Sequence, residues 1–410
     1  MIKRVQIEGF KSFKKLDFEM KPLNVLIGPN GGGKTNFIDA LKFIREAAYE
    51  DLVEPYLRRG GSAGVVFRGL KEQNQRIKIA LRFDWGPREG EAAPIRLLDQ
   101  SSIEWERGPQ GAAAYSRGVY RFALRPRPTD VLVDSETFSY LNDAGDEIGM
   151  NRQPLSPDYP PRRRLGITQP PPGLHGFLEA NVFDARTFGW VGEMARGWKV
   201  YQAIDTGPDS EIREPVLARH GFVLKENGSN LTSVLHNLQS LPEGEEAFRR
   251  IEEGLRLVFR ELKKMAFPAQ GGDGRLFLSW REGPFEKNDF SAMFLSDGTL
   301  KFLALLAIFL CPTPPPLVLV EEPELGLHPD MIHYVAALAQ EASHRTQIIM
   351  TTHSPTLVSA LKPEEVVVVE KEDGETKMRR LSDRAGLEGW LKDFSLGELW
   401  EMGEIGGRPK

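Results

Sequence analysis

The residues Gly28-Pro29-Asn30-Gly31-Gly32-Gly33-Lys34-Thr35 match the pattern glycine, four residues, glycine-lysine-threonine at every fixed position. Glycines at such positions let backbone N–H groups turn inward around phosphate oxygens, and a following helix adds partial positive charge. Lys34 would reach the β- and γ-phosphates of a nucleoside triphosphate, and the Thr35 hydroxyl would take a place on Mg2+. Asn30, Gly31, Gly32, Gly33 and Asn36 complete the candidate nucleotide-binding set. Far downstream, Leu317-Val318-Leu319-Val320 runs into Glu321-Glu322-Pro323-Glu324. Four apolar residues followed by two acids form the Walker B arrangement. Glu321 would hold Mg2+, usually through water, and Glu322 would polarise the water that attacks the γ-phosphate.

Two further stretches carry side chains of the right kind. Gln347-Ile348-Ile349-Met350 reads as a core strand delivering Thr351-Thr352-His353-Ser354-Pro355. A histidine at a strand end beside a γ-phosphate donates a hydrogen bond to it or orients the water. Leu295-Ser296-Asp297-Gly298-Thr299 precedes an apolar helix starting near Leu300. Ser296 there is a good anion site and equally a plain N-cap, and the residues alone leave both open.

These residues need elements to carry them. Leu23 to Ile27 reads as a buried strand before the glycine loop. Phe37, Leu41, Ile44 and Ala48 form the apolar stripe of a helix after it. Ile2 to Ile7 and Leu16 to Met20 suggest a hairpin, and Ile77 to Phe83 alternates as a strand. From Gly86 to about Gly176 the texture turns rich in Pro, Gly and Arg, with strands expected at Val119 to Leu124 and Thr137 to Leu141. Extended loops are expected at Tyr159 to Arg164 and Gln169 to Gly173. Helices are expected at Asn230 to Leu238 and Glu245 to Met265, and a strand at Leu276 to Trp280. The resulting division is a first core part (1–85), a β-rich insertion (86–225), a helical lobe (226–290), a second core part (291–382) and a tail (383–410). The fold class is α/β: a P-loop NTPase with a mixed or parallel core sheet, a β-rich lobe and a helical insertion.

The 410-residue chain carries a net charge of −5, which argues against a surface that binds nucleic acid throughout. Cys311 is the only cysteine, so no intrachain disulfide forms and a reducing cytoplasm is expected. The opening residues show no signal-peptide apolar region, and the run Phe302 to Cys311 is too short to span a membrane. No membrane partner is expected.

The order of these motifs resembles the head of ABC-type ATPases, more narrowly the RecF/SMC-like group related to the OLD family. The stretches Ile7 to Phe13, Asn24 to Asn30 and Glu322 to Pro329 carry the likeness, which covers roughly residues 1–85 and 225–375. The resemblance implies an ATP hydrolase with ATP and Mg2+ as ligands and slow turnover. Lys34 and Thr35 would be the Walker A lysine and metal ligand, Glu321 the Walker B acid, Glu322 the catalytic base and His353 the switch histidine. Ser296 and Gly298 would form the signature motif that contacts the γ-phosphate on an opposite subunit, which implies an ATP-dependent homodimer. Relatives act on DNA in repair and chromosome organisation, or serve antiphage defence beside a separately encoded effector such as a nuclease.

Three departures stand out. Glu321 replaces the common aspartate, Asp297 puts a negative charge inside the signature, and no Q-loop glutamine is evident, Gln73 and Gln75 lying in the general stretch. Arg58, Arg59 and Arg68 are alternatives as phosphate contacts or surface charges. Arg117, Arg121, Arg125, Arg127 and Arg162 to Arg164 form either a DNA-binding face or a set of charges neutralised by nearby acids. An OLD-like nuclease would need a further domain with a paired Asp-x-Asp, and none follows Glu370. A transporter ATPase is the other alternative, disfavoured by His328-Pro329 and by the β-rich insertion. The apolar tail residues Trp390, Phe394, Leu396, Leu399 and Trp400 are expected to pack on their own core or to dock a partner.

Overall fold

The computed structural model describes residues 1–49, 52–69, 75–84, 117–141, 147–150, 192, 194–270, 274–283 and 289–408. The expectations for Gln73, for Arg162 to Arg164 and for the loops from Tyr159 to Gly173 lie outside these residues. The chain divides into two compact units. One comprises Met1–Lys21, Thr35–Gly197 and Lys371–Met378; the other comprises Pro22–Lys34, Trp198–Glu370 and Arg379–Lys410.

The chain opens with strands β1 (Ile2–Phe10) and β2 (Phe13–Glu19), then β3 (Leu23–Ile27), the glycine loop and helix α1 (Lys34–Tyr49). Helix α2 (Val53–Arg58) and strands β4 (Ile77–Asp84), β5 (Arg117–Pro126), β6 (Val131–Leu141) and β7 (Glu147–Met150) follow. In the first unit these strands build an antiparallel sheet in the order β2-β1-β4-β5-β6-β7. The expected hairpin and the strands read at Val119 to Leu124 and Thr137 to Leu141 are therefore parts of one sheet. Its register places Ile7 opposite both Leu16 and Ile79, and Ile79 opposite Phe122, so one face is continuously apolar. The stripe Phe37, Leu41, Ile44 and Ala48 on α1 is buried as its spacing predicts. Phe13 meets Phe37 edge-on at 6.4 Å between ring centroids, and Phe10 lies 5.9 Å from Phe43.

The second unit holds a parallel sheet whose strands are separated widely in sequence. It joins β3 to β8 (Lys199–Tyr201), β10 (Leu317–Glu321), β11 (Gln347–Thr351) and β12 (Val366–Glu372), in the order β12-β3-β11-β10-β8, with the strand Glu375–Arg380 added at the β12 edge. A short strand β9 (Leu262–Ala266) belongs to a separate antiparallel sheet. Helices α3 (Glu245–Val258), α4 (Asp297–Phe309), α5 (Pro329–Ala342), α6 (Pro355–Ser359) and α7 (Leu396–Met402) complete the elements used below. Every residue from Phe302 to Cys311 is buried, which explains why α4 is apolar all round without being a membrane span.

One expected helix is shorter than read. The apolar spacing of Phe248, Ile251, Leu255, Val258 and Leu262 suggests helix through Met265, yet α3 stops at Val258 and Leu262 opens β9. The chain folds back on the helix: Glu252 accepts the Met265 backbone N–H at 2.8 Å, and Arg256 donates to the carbonyls of Leu262 and Lys263. A strand returning over the same apolar face buries Leu262 just as another helical turn would. In the tail, Leu396, Leu399 and Trp400 are buried in the core of the second unit, and the Gly407 N–H donates to Glu370 at 2.7 Å. Of the tail residues singled out above, these three pack on the core, Phe394 is partly buried against it, and Trp390 stays 44% exposed.

Candidate active site

Register gathers the site. In the parallel pairing Glu321 lies opposite Thr351, and Thr351 lies opposite Leu26. The residues that follow, Gly28, Glu322 and Thr352, therefore leave the sheet at one carboxyl edge, where α/β proteins bind ligands. Close packing demands glycine at the start of the loop. Gly28 has φ +151, and a Cβ there would lie 2.1 Å from the Val369 carbonyl oxygen; one on Gly32 would lie 2.8 Å from the same atom.

Lys34 is 6% exposed and its Nζ donates to the carbonyls of Gly28 (2.6 Å) and Pro29 (3.2 Å). Burial pushes its pKa down to about 8, against the opposing pull of Glu322 and Glu324. The lysine thus caps its own loop, a role that bound phosphate oxygens would take over. Thr35 follows it as an exposed residue of α1, and Asn30 and Gly31 are exposed on the loop. Asn36 uses its side-chain amide to donate to the Ser12 hydroxyl at 2.7 Å, a structural bond.

The Walker B strand ends in a strained turn. Glu322 sits at φ +47, a left-handed conformation that non-glycine residues adopt at a cost of about 1–2 kcal/mol. Its N–H donates to the Thr351 carbonyl at 3.0 Å, and its carbonyl accepts from Lys301 at 3.2 Å. The conformation leaves the carboxylate 3.8 Å from the His353 Nε2. Burial and the Lys34 charge hold the His353 pKa below its ordinary value, opposed by Glu322 and Glu324, so the ring is neutral at pH 7 and able to accept a hydrogen bond.

Glu324 is a site residue that motif reading passed over. It is 9% exposed, and its Oε1 accepts from the Thr352 hydroxyl and the His353 N–H, both at 2.8 Å. It therefore ties the Walker B turn to the histidine loop, while its Oε2 is a buried atom with no hydrogen-bond partner among the described residues. Gln202 is another. It follows β8, which pairs with the Walker B strand, and its Nε2 donates to Glu321 at 2.6 Å. A glutamine just after a short apolar strand was the only sequence signal. Gln75, by contrast, precedes β4 in the other unit.

Ser296 settles one alternative: it is the N-cap of α4, accepting from the Thr299 N–H at 3.1 Å. Its exposed position keeps the anion reading open. Gly298 is held close to the turn after Walker B, since a Cβ there would lie 2.5 Å from the Gly326 carbonyl. Lys301, one turn into α4, bonds the carbonyls of Glu322 and Leu325. Arg59 is removed from the phosphate candidates: it is 8% exposed, donates to Asp39 and Glu46, and lies over the Phe43 ring. Arg58 leans toward Glu46 at 3.7 Å, and Arg68 is exposed.

The donor set suits the ligands that the motifs imply. A buried lysine that spends its hydrogen bonds on the Gly28 and Pro29 carbonyls suits a phosphate anion. The Thr35 hydroxyl and the Glu321 carboxylate are hard oxygen donors of the kind Mg2+ takes beside substrate phosphates; one oxygen of the Glu321 carboxylate already accepts from Gln202.

Comparison with known proteins agrees. A family model described as "AAA domain, putative AbiEii toxin, Type IV TA system" matches residues 211–359, and one described as "AAA domain" matches residues 4–110. The chromosome partition protein Smc of Halothermothrix orenii is 35% identical over 74 residues, 17% of this chain and 6% of that protein. The DNA replication and repair protein RecF of Moorella thermoacetica is 28% identical over 85 residues, 20% of this chain and 23% of that protein. The OLD nuclease of Thermus scotoductus is 36% identical over 44 residues, 11% of this chain and 8% of that protein. The matches thus span less than a quarter of each relative. A crystal structure of an Smc head bound to the C-terminal winged-helix domain of ScpA shares the fold, with a TM-score of 0.51 at 16% identity over 93% of this chain and 99% of that one. With its glycine loop, double-acid strand end and histidine loop gathered at one sheet edge, the chain is similar to the RecF/SMC-like group of ABC-type ATPases.

Proposed function

We propose that the protein binds ATP with Mg2+, hydrolyses it slowly, and works as an ATP-gated dimeric switch. The observation that carries this reading is the strained Glu322, 3.8 Å from a neutral His353 and electrostatically coupled to the buried Lys34. In this reading Lys34 leaves the Gly28 and Pro29 carbonyls for the β- and γ-phosphate oxygens and regains full charge. Glu322 accepts the proton of the attacking water, and His353 holds that water or the γ-phosphate by a hydrogen bond. Thr35 and Glu321 hold Mg2+, which when bound neutralises phosphate charge. Gln202 orients Glu321 for that task.

Ser296 and Gly298 are proposed to meet the γ-phosphate on a second copy, which makes the closed state a homodimer. Support comes from apolar side chains left in water beside the signature: Met293 is 63% exposed, Phe294 80% and Leu325 56%. The output is then conformational, delivered in the cytoplasm to DNA or to a separately encoded effector. Relatives named for chromosome partition and for DNA replication and repair support a target of this kind. The described insertion arginines support it less, because Arg121 pairs with Glu147 and Arg125 with Asp134. Light scattering on Glu322→Gln with and without ATP and Mg2+ tests the switch. A doubled mass only with ATP, lost on adding Lys34→Ala or Ser296→Arg, is expected; a mass indifferent to ATP overturns it.

A further inference from the structure

Asp297 is an awkward residue for a phosphate-binding turn, since a carboxylate there repels the anion that the turn would receive. The structure supplies its counterpart from a distant part of the chain. Arg213 ends a single 3-10 turn (Glu211–Arg213), and its side chain is 5% exposed. Its Nη2 donates to the Asp297 carboxylate at 2.7 Å. Its Nη1 faces the carbonyls of Ala292 (2.9 Å), Met293 (3.2 Å) and Leu295 (3.0 Å), and its Nε those of Thr206 (2.8 Å) and Gly207 (3.1 Å).

We propose that Arg213 is the positioning residue of the signature turn. One guanidinium gathers three carbonyls of the strand-to-helix loop, fixing where Ser296 and Gly298 stand, and cancels the Asp297 charge so that the turn meets phosphate without net repulsion. Only a planar fork with five N–H donors serves so many acceptors at once; a lysine ammonium brings the charge without the geometry. The far side of the same guanidinium is anchored on Thr206 and Gly207, in the segment that begins at Gln202 and its bond to Glu321. The signature turn is thereby pinned to the stretch of chain that contacts the Walker B acid.

The charge half of this proposal rests on the reading of Ser296 and Gly298 as a phosphate contact made across a dimer; the positional half does not. Two readouts separate them. Hydrogen exchange over residues 292–299 in Arg213→Met and Arg213→Lys is expected to rise about tenfold over the parent in both variants, because neither has the fork. Unchanged exchange overturns the positional role, whatever the oligomer does. The second readout is the ATP concentration that half-dimerises the Glu322→Gln protein in low salt. Arg213→Met is expected to raise it about tenfold, Arg213→Met with Asp297→Asn to recover most of that loss, and Asp297→Asn alone to lower it. The exposed Asp297 carries the test even if Arg213→Met folds poorly. If Asp297→Asn raises the concentration, or rescues nothing, the charge role is wrong. A Glu322→Gln parent that never dimerises refutes the dimer reading, and with it the charge role, leaving the exchange result to decide position.

Discussion

Truncating Glu324 to alanine should loosen the histidine loop far more than its place outside the usual pair of acids suggests. The side chain is 9% exposed and accepts two hydrogen bonds at 2.8 Å, from the Thr352 hydroxyl and the His353 N–H. Bonds to a charged acceptor are each worth about 1.5–3 kcal/mol net, and here the fully buried Thr352 would be left without its acceptor while the more exposed His353 N–H could turn to water. Against that stands the relief of no longer burying a carboxylate whose Oε2 has no described partner. The balance is a loss of about 3 kcal/mol for Glu324→Ala. Glu324→Gln keeps an acceptor oxygen for both donors and gives the second position an N–H, so its loss should be about 1 kcal/mol. Amide hydrogen exchange at His353 reads this directly. An exchange rate raised about a hundredfold in Glu324→Ala and about fivefold in Glu324→Gln is expected, taking 1.4 kcal/mol per factor of ten. If Glu324→Ala exchanges at the wild-type rate, the carboxylate does not hold the loop. If the two variants behave alike, charge rather than hydrogen bonding is what matters.

Lys34 makes nucleotide affinity depend on pH in a defined window. With its pKa pushed to about 8 in the nucleotide-free protein, binding must restore a proton above that pH. ATP affinity should be level below pH 8 and fall about tenfold per unit above it, as measured by calorimetry, with Lys34→Arg removing the slope. The same depressed pKa means that the unfolded chain holds this proton longer, so stability of the nucleotide-free protein should rise between pH 8 and 10.5. Arg59→Ala should cost about 3 kcal/mol in thermal unfolding, since Glu46 is left with the more distant Arg58 (3.7 Å) while Asp39 keeps Lys11 (2.7 Å), yet leave ATP affinity of the folded protein unchanged.

How much of this was readable in advance follows the range of the interactions. The glycine loop, the strands at Leu23 and Leu317 and the N-cap at Ser296 are local features, set by residues a few positions apart, and they appear where spacing placed them. Gln202, Glu324 and Arg213 depend on pairings across the fold. Nothing near Gln202 in sequence says that β8 will lie beside the Walker B strand, and nothing near Arg213 points to Asp297. Arg59 fits neither alternative that sequence left open, because Asp39 and Glu46 on α1 enclose it. The end of α3 was hidden because a returning strand and a continuing helix both bury Leu262.

The placement of β3 has a consequence for how the protein is made. Val25 pairs with Met350 on one side and with Val366 on the other. A ribosome that has released everything up to the end of α5 has therefore produced the glycine loop but neither strand that holds its base in place. Until then Leu23–Ile27 is an apolar segment without neighbours, exposed to wrong partners. Closing it requires contacts of very long sequence separation, which fold slowly. The nascent chain thus cannot be rescued early by nucleotide, and a product that stalls before β11 should be handed to chaperones or proteases with its ATP site unformed.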